Sequence, residues 1–166
     1  LYSEVMRMSD PYQMIVDSPL GKLGVVLDGA AIQRMDFLPP RTRIRPLHGA
    51  TARRVARTLQ RYFRYGGALA DELPLHLQGT AFQLRVWQAL RSIPCGEVRT
   101  YGELAALLGS GARAIGNACR RNPVPVFVPC HRVVGAAGIG GYAGQTAGRE
   151  LERKRWLLHH EGAITS

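Results

Sequence analysis

The chain is 166 residues long and 46% hydrophobic, enough for one globular unit or two small lobes sharing an interface, and too apolar for a disordered chain. Its 22 Lys plus Arg stand against 12 Asp plus Glu, a net charge of +10, and only Lys22 and Lys154 among the basic residues are lysine. Arginine forks grip phosphates and stack on bases, so the balance points toward nucleic acid, with an ordinary solvated basic surface as the competing account.

Apolar runs such as 124–128 are interrupted by proline and fall far short of the ~20 residues that span a bilayer, so no membrane contact is expected. The first ten residues, "LYSEVMRMSD", carry acids where a secretory signal needs an apolar block. With Leu1 first and Met8 close behind, part of residues 1–10 is expected to contribute nothing to function. Cys95, Cys119 and Cys130 form an odd set without a C-x-x-C pair, which fits a reducing, cytoplasmic setting. No metal site is expected, because a four-ligand cluster would have to recruit scattered histidines at unsuitable spacing. No cofactor is expected either.

Residues 12–38 alternate apolar and polar patches, with turns at Pro19-Leu20-Gly21 and Asp28-Gly29, and predict a small antiparallel sheet. In "ATARRVARTLQRYFRYGG", Val55, Leu59 and Tyr62 or Phe63 recur at helical spacing until Gly66-Gly67 ends the run. Its arginines, Arg53, Arg54, Arg57, Arg61 and Arg64, read as a solvated flank. "GGALADELPLHLQGT" reads as a linker with one short strand, and the lobe boundary is placed near residue 79, giving lobes of 1–79 and 80–166.

Phe82, Val86, Leu90 and Ile93 predict an amphipathic helix with Trp87 flanking its buried stripe. Thr100 and Glu103 make a capping-box pattern before "YGELAALLG", which Gly109 stops. In "GARAIGNACRRNP", Ile115, Ala118 and Cys119 share one face, and Arg113, Asn117, Arg120 and Arg121 the other. Two short helices joined by Gly109-Ser110-Gly111 have the form of a helix-turn-helix, although a plain helical corner has the same spacing. No Asp or Glu lies between Glu103 and Glu150, so a polyanion could approach the second helix without meeting a carboxylate. A Gly-rich loop, "GAAGIGGYAG", leads to the last helix, "RELERKRWLLHHEG", with Leu151, Arg155 and Leu158 on one stripe.

Between these helices lies "PCHRVV", a thiol next to an imidazole. A reactive cysteine needs a nearby base or positive field, and His131 and Arg132 offer both. Adjacent side chains rarely face one another, so a water or a turn must connect Cys130 to His131. Glu161 is one candidate among several carboxylates to orient the imidazole. The residues by themselves also allow a buried, inert cysteine.

The run "NPVPVFVPCHRVV", with "IPCGEVRTYGELAALLGS", "RAIGNACRRNP", "GGYAG" and "WLLHHEG", resembles the O6-alkylguanine-DNA alkyltransferases in order and spacing, closely over residues 80–162. The resemblance implies an α+β fold: an N-terminal antiparallel-sheet lobe of the ribonuclease-H type, and a mostly helical, winged-helix-like C-terminal lobe holding the helix-turn-helix. It implies direct-reversal DNA repair, in which Cys130 takes the alkyl group from O6-alkylguanine, and from O4-alkylthymine, in a single irreversible turnover.

By the same resemblance, His131 and Glu161 draw off the thiol proton through a water, and Tyr101 donates to guanine N3. Arg113 fills the stack behind the flipped nucleotide, flanked by the small residues Ala112 and Ala114, while Asn117, Arg120 and Arg121 belong to the DNA-facing surface. Asn122 holds the turn before the cysteine segment, the backbone of Cys130 and Val133 accepts from the guanine amino group, and Pro125, Tyr142 and Ala143 line the pocket. The partner implied is double-stranded DNA, gripped at the minor groove and phosphates by a monomer, with cooperative binding left open. Two other classes stay open at this point: a non-catalytic helix-turn-helix module that recognises alkylated bases, and a cysteine hydrolase.

Overall fold

The apolar patches of residues 12–38 form three antiparallel strands, β1 (Met14–Val16), β2 (Lys22–Asp28) and β3 (Ala31–Leu38), in the order β1-β2-β3. The computed structural model describes residues 10–67, 69, 73–140 and 148–165. Strand β2 pairs with β3 from Lys22↔Leu38 to Asp28↔Ala31, with a register shift between Val26 and Leu27. Helix α1 (Gly49–Tyr65) lays Ala52, Val55, Leu59 and Tyr62 on the core, and its five arginines at 53, 54, 57, 61 and 64 all point outward. The expected strand in "LPLHLQ" is reduced to one bridge, Ile32↔Leu75. Pro74 lacks an N–H and cannot extend a ladder, so only its carbonyl is used, accepting from Ile32 N at 2.9 Å.

Helix α2 (Ala81–Arg91) starts with a reciprocal capping box between Thr80 and Gln83. Val86, Leu90 and Ile93 are buried as their spacing predicts. Trp87 is not at the flank: it is 1% exposed, and its indole Nε1 donates to the Ala118 carbonyl at 2.9 Å. The indole needs both an apolar slot and an acceptor, and the helix facing α2 supplies both.

A two-residue strand, β4 (Arg99–Thr100), pairs in parallel with β5 (Val133–Val134). Helix α3 (Tyr101–Leu108) carries the capping box expected from Thr100 and Glu103, and Gly109 ends it in the left-handed region, φ 64° and ψ 42°. Only three residues then separate it from α4 (Ala112–Arg120), whose Ile115 and Ala118 are buried. Helices α3 and α4 pack together and α4 also packs on α2, so the helix-turn-helix sits on a third helix.

Helix α5 (Arg149–His160) buries Arg153, Lys154, Leu157 and Leu158. Of the expected stripe, Leu158 is buried, Leu151 is half-buried and Arg155 faces out. The helix turns a cationic pair inward because each charge finds oxygen there: Arg153 Nε reaches the Leu20 carbonyl at 3.1 Å and Lys154 Nζ the Val133 carbonyl at 2.6 Å. One apolar cluster joins Met14, Leu23, Leu59 and Tyr62 to Trp87, Ile115, Val128 and Leu157. No helix among the described residues is long and apolar enough to cross a membrane.

Trp87→Phe keeps most of the buried ring but removes the indole donor, leaving the Ala118 carbonyl the longer bond from Arg121 N at 3.2 Å. It is expected to lower the free energy of unfolding by about 1–3 kcal/mol in a urea titration, with the native circular dichroism spectrum retained.

Candidate active site

Three prolines, Pro123, Pro125 and Pro129, limit the backbone leading to Cys130. Val126, between them, is held at φ 74°, a region that a β-branched residue seldom enters, and Val128 N closes the turn on the Val124 carbonyl at 2.9 Å. The chain then makes one 3-10 turn, Cys130–Arg132, in which all three side chains are buried. Turning the backbone here sends neighbouring side chains in different directions, so the adjacent thiol and imidazole each acquire their own partners.

The thiol is held by Asn122. Its amide Nδ2 donates to Cys130 Sγ at 3.1 Å and to the Val128 carbonyl at 2.8 Å, while its Oδ1 accepts from Val124 N at 3.0 Å. One side chain therefore fixes the turn after α4 and the sulfur together. Lys154 faces the same region: burial pulls its ammonium down to about 8, against the opposing pull of Cys130 and Cys119. Tyr101 opens α3 with its ring 5.8 Å from Lys154 Nζ, and burial, then Cys119 and Cys130, raise its phenol to about 12. It is a protonated donor at neutral pH. Burial also pushes the Cys119 thiol up, which keeps it protonated.

The imidazole is held by Glu161. His131 Nε2 donates to Glu161 Oε1 at 2.7 Å, and both side chains are fully buried. Among the described residues nothing hydrogen-bonds His131 Nδ1, so that nitrogen keeps its lone pair. Burial lowers the pKa of His131; Glu161 opposes that effect, and Arg132 and Lys154 add to it. Arg132, close to Cys130 in the chain, is directed to the carboxylate. Its guanidinium turns to Glu161 through Nε at 3.0 Å and Nη2 at 2.6 Å, and its Nη1 donates to the Ile93 carbonyl at 2.6 Å. Burial alone would raise the Glu161 carboxyl, but the donors from His131 and Arg132 hold it down at about 2.

The structure thus brings together Cys130, His131, Glu161, Tyr101 and Asn122. Pro125 lies half-buried in the same segment, and the carbonyls of Cys130 and Val133 each already accept one protein donor, Val133 N and Lys154 Nζ. Tyr142 and Ala143 lie outside the described residues. Arg113, Asn117 and Arg120 are exposed on α4 with Ala112, Arg121 is exposed just past its end, and Ala114 is half-buried. A Cβ built at Gly116, on the same helix, meets nothing within 4 Å. Sequence reasoning missed Lys154 and the pairing of Arg132 with Glu161. The first carried a signal, as one of only two lysines, beside the buried Leu157 and Leu158 one turn on. Among the described residues, no group of three or more His, Cys, Asp or Glu could hold a metal.

Glu161 titrates below its unfolded value of ~4.3, so its ionised form stabilises the fold above that pH, and the contribution is lost as pH falls toward about 2. The difference in unfolding free energy between the native chain and Glu161→Gln is therefore expected to be largest above pH 5 and to shrink between about pH 4 and about 2. Denaturant unfolding at a series of pH values measures it.

Residues 81–163 match the family model described as the DNA-binding domain of 6-O-methylguanine DNA methyltransferase. The methylated-DNA–protein-cysteine methyltransferase of Salmonella typhimurium is 51% identical over 106 residues, which span 62% of this chain and 59% of that protein. The protein of the same name from Mycobacterium tuberculosis is 43% identical over 155 residues, 88% of this chain and 89% of its own length. The crystal structure of the M. tuberculosis O6-methylguanine methyltransferase superposes with a TM-score of 0.74 at 37% identity, covering 92% and 93% of the two chains. The M. tuberculosis structure in complex with DNA gives a TM-score of 0.74 at 40% identity, covering 89% and 90%. Identity above 40% carried along nearly nine-tenths of both chains amounts to common family: this α+β chain belongs to the methylated-DNA–protein-cysteine methyltransferase family.

Proposed function

We propose that this chain repairs O6-alkylguanine in duplex DNA, and by the same chemistry O4-alkylthymine, with Cys130 as the single-use acceptor. The observation that carries the assignment is the division of labour around one 3-10 turn. His131 is pinned by Glu161 through Nε2 and keeps Nδ1 unprotonated, while Asn122 holds the neighbouring sulfur in place. In the reaction a sulfur–carbon bond forms and the carbon–O6 bond breaks. The electron pair stays on the guanine, and the thiol proton passes through a water to His131 Nδ1. The phenol of Tyr101 donates to guanine N3 as charge develops there. A protonated, half-buried hydroxyl at the start of α3 suits that task. Pro125, Val133, Tyr142 and Ala143 complete the pocket, and no cofactor takes part.

A base inside a duplex cannot reach a buried thiol, so the nucleotide must be extruded at a cost of a few kcal/mol. Helix α4 offers what offsets that cost. Arg113 projects near its start to fill the emptied stack, Ala112 and Ala114 let the helix approach the minor groove closely, and Asn117, Arg120 and Arg121 meet the backbone. The protein acts as a monomer, with a division at residue 79 just ahead of the Thr80 cap of α2. A thiol seated beside an imidazole–carboxylate pair favours transfer over a binding-only module, and the turnover measured with excess substrate separates transfer from hydrolysis.

Cys130→Ala is expected to abolish transfer from O6-methylguanine duplex while leaving DNA affinity unchanged by gel shift. The native chain, given excess substrate, is expected to stop at one methyl group per molecule, located on the Cys130 peptide by mass mapping; sustained turnover would refute the assignment. Arg113→Ala is expected to slow repair of duplex far more than reaction with free O6-benzylguanine, which needs no extrusion. Equal losses on both substrates would remove the role given to Arg113.

A further inference from the structure

Glu161 follows the last residue of α5, the end where the helix macrodipole disfavours a negative charge and where helices fray. It is nevertheless the fixed point of the relay, so something outside α5 must hold it. Arg132 supplies a fork, but that fork binds both carboxylate oxygens and is itself tied to the Ile93 carbonyl, on the side of the 3-10 turn. The opposite side is closed by α1. Tyr62, 99 residues away in sequence and 1% exposed, donates its hydroxyl to Glu161 Oε2 at 3.0 Å.

The same residue is gripped a second time. His160 Nε2 lies 2.7 Å from the Tyr62 carbonyl, and the His160 ring meets the Tyr62 ring edge-on at 5.5 Å while stacking on Trp156 at 4.6 Å. The residue at the end of α5 and the carboxylate that follows it are thus both docked on one tyrosine of the N-terminal half. Burial and the Glu161 charge both raise the Tyr62 phenol, so it remains a donor throughout the working range.

We infer that Tyr62 is a positioning residue for alkyl transfer: its buried hydroxyl holds the Glu161 carboxylate in line with His131 Nε2, so that the N-terminal half sets the geometry of proton removal from Cys130. The inference rests on the relay from Cys130 through His131 to Glu161. Without the hydroxyl, Oε2 loses the donor that opposes the Arg132 fork, with the Cys95 thiol as a remaining neighbour, and the carboxylate is free to follow that fork away from His131. Tyr62 has no contact with Cys130, so its effect on transfer passes through Glu161.

A double-mutant cycle tests this. The active fraction is counted from the end point of transfer, and the first-order rate constant is taken at saturating O6-methylguanine duplex. Tyr62→Phe keeps the ring and is expected to lower that constant about 5- to 10-fold, with DNA affinity unchanged. In the Glu161→Gln background the same change is expected to alter the constant less than about twofold. Phe63→Leu, which loosens the same aromatic cluster without touching Glu161, is expected to lower stability and leave the rate constant as it is. Equal effects of Tyr62→Phe in both backgrounds, no effect in the native background, or an equal slowing by Phe63→Leu would each overturn the inference. Transfer by Glu161→Gln at the native rate would instead overturn the relay on which it rests.

Discussion

A carboxylate removed from water is tolerated only when its lone pairs are filled, and the buried Glu161 fills them from separate stretches of chain. Oε1 accepts from His131 and Arg132, and Oε2 accepts from Arg132 and Tyr62. The loop after α2 is drawn in as well, because the Arg132 guanidinium also binds the Ile93 carbonyl. Removing the Arg132 guanidinium would leave the carboxylate buried without its ion-pair partner, a loss that typically costs about 3–5 kcal/mol. The 3-10 turn, the end of α5 and the end of α1 are therefore coupled through one carboxylate.

The thiol side of the turn is built on a different logic. Here the Asn122 amide donates to the sulfur, and the groups that feel its charge, the Tyr101 phenol and the Lys154 ammonium, are neutral or cationic. The imidazole a residue away sits instead against an anion. Asn122 lies just beyond α4, and α4 is tied to α2 by the Trp87 indole, so α4 and the Cys130 sulfur are joined through a short series of hydrogen bonds. In the proposed reaction, that linkage would couple the position of α4 to the position of the sulfur.

Local rules recovered most of the elements. The capping boxes at Thr80 and Thr100, the left-handed stop at Gly109 and the three strands depend on neighbours within a few residues, and the chain shows these directly. The placement of Cys130, His131 and Glu161 in one site was legible through the resemblance of "PCHRVV" and "WLLHHEG" to a known pattern, whereas spacing alone left Glu161 one carboxylate among several. What could not be read were buried charges whose partners lie far along the chain. Lys154 and Arg153 look like surface residues on a charged helix, but the Val133 carbonyl receives Lys154, and the Leu20 carbonyl and the Phe37 ring receive Arg153 beside its neighbour Glu150. Arg132 likewise stands close to Cys130 in sequence while its bond is to a carboxylate 29 residues on. Tyr62 carried a signal for the core but none for its hydroxyl.

Gly116 lies in the middle of a nine-residue helix, where glycine costs about 1 kcal/mol relative to alanine, and the fold has room for the methyl group it lacks. Among the described residues nothing occupies that space. A bare position on α4 lets an outside surface come closer to the helix backbone than an alanine there would allow, so the helix gives up local stability at the same point where it gains closeness of approach.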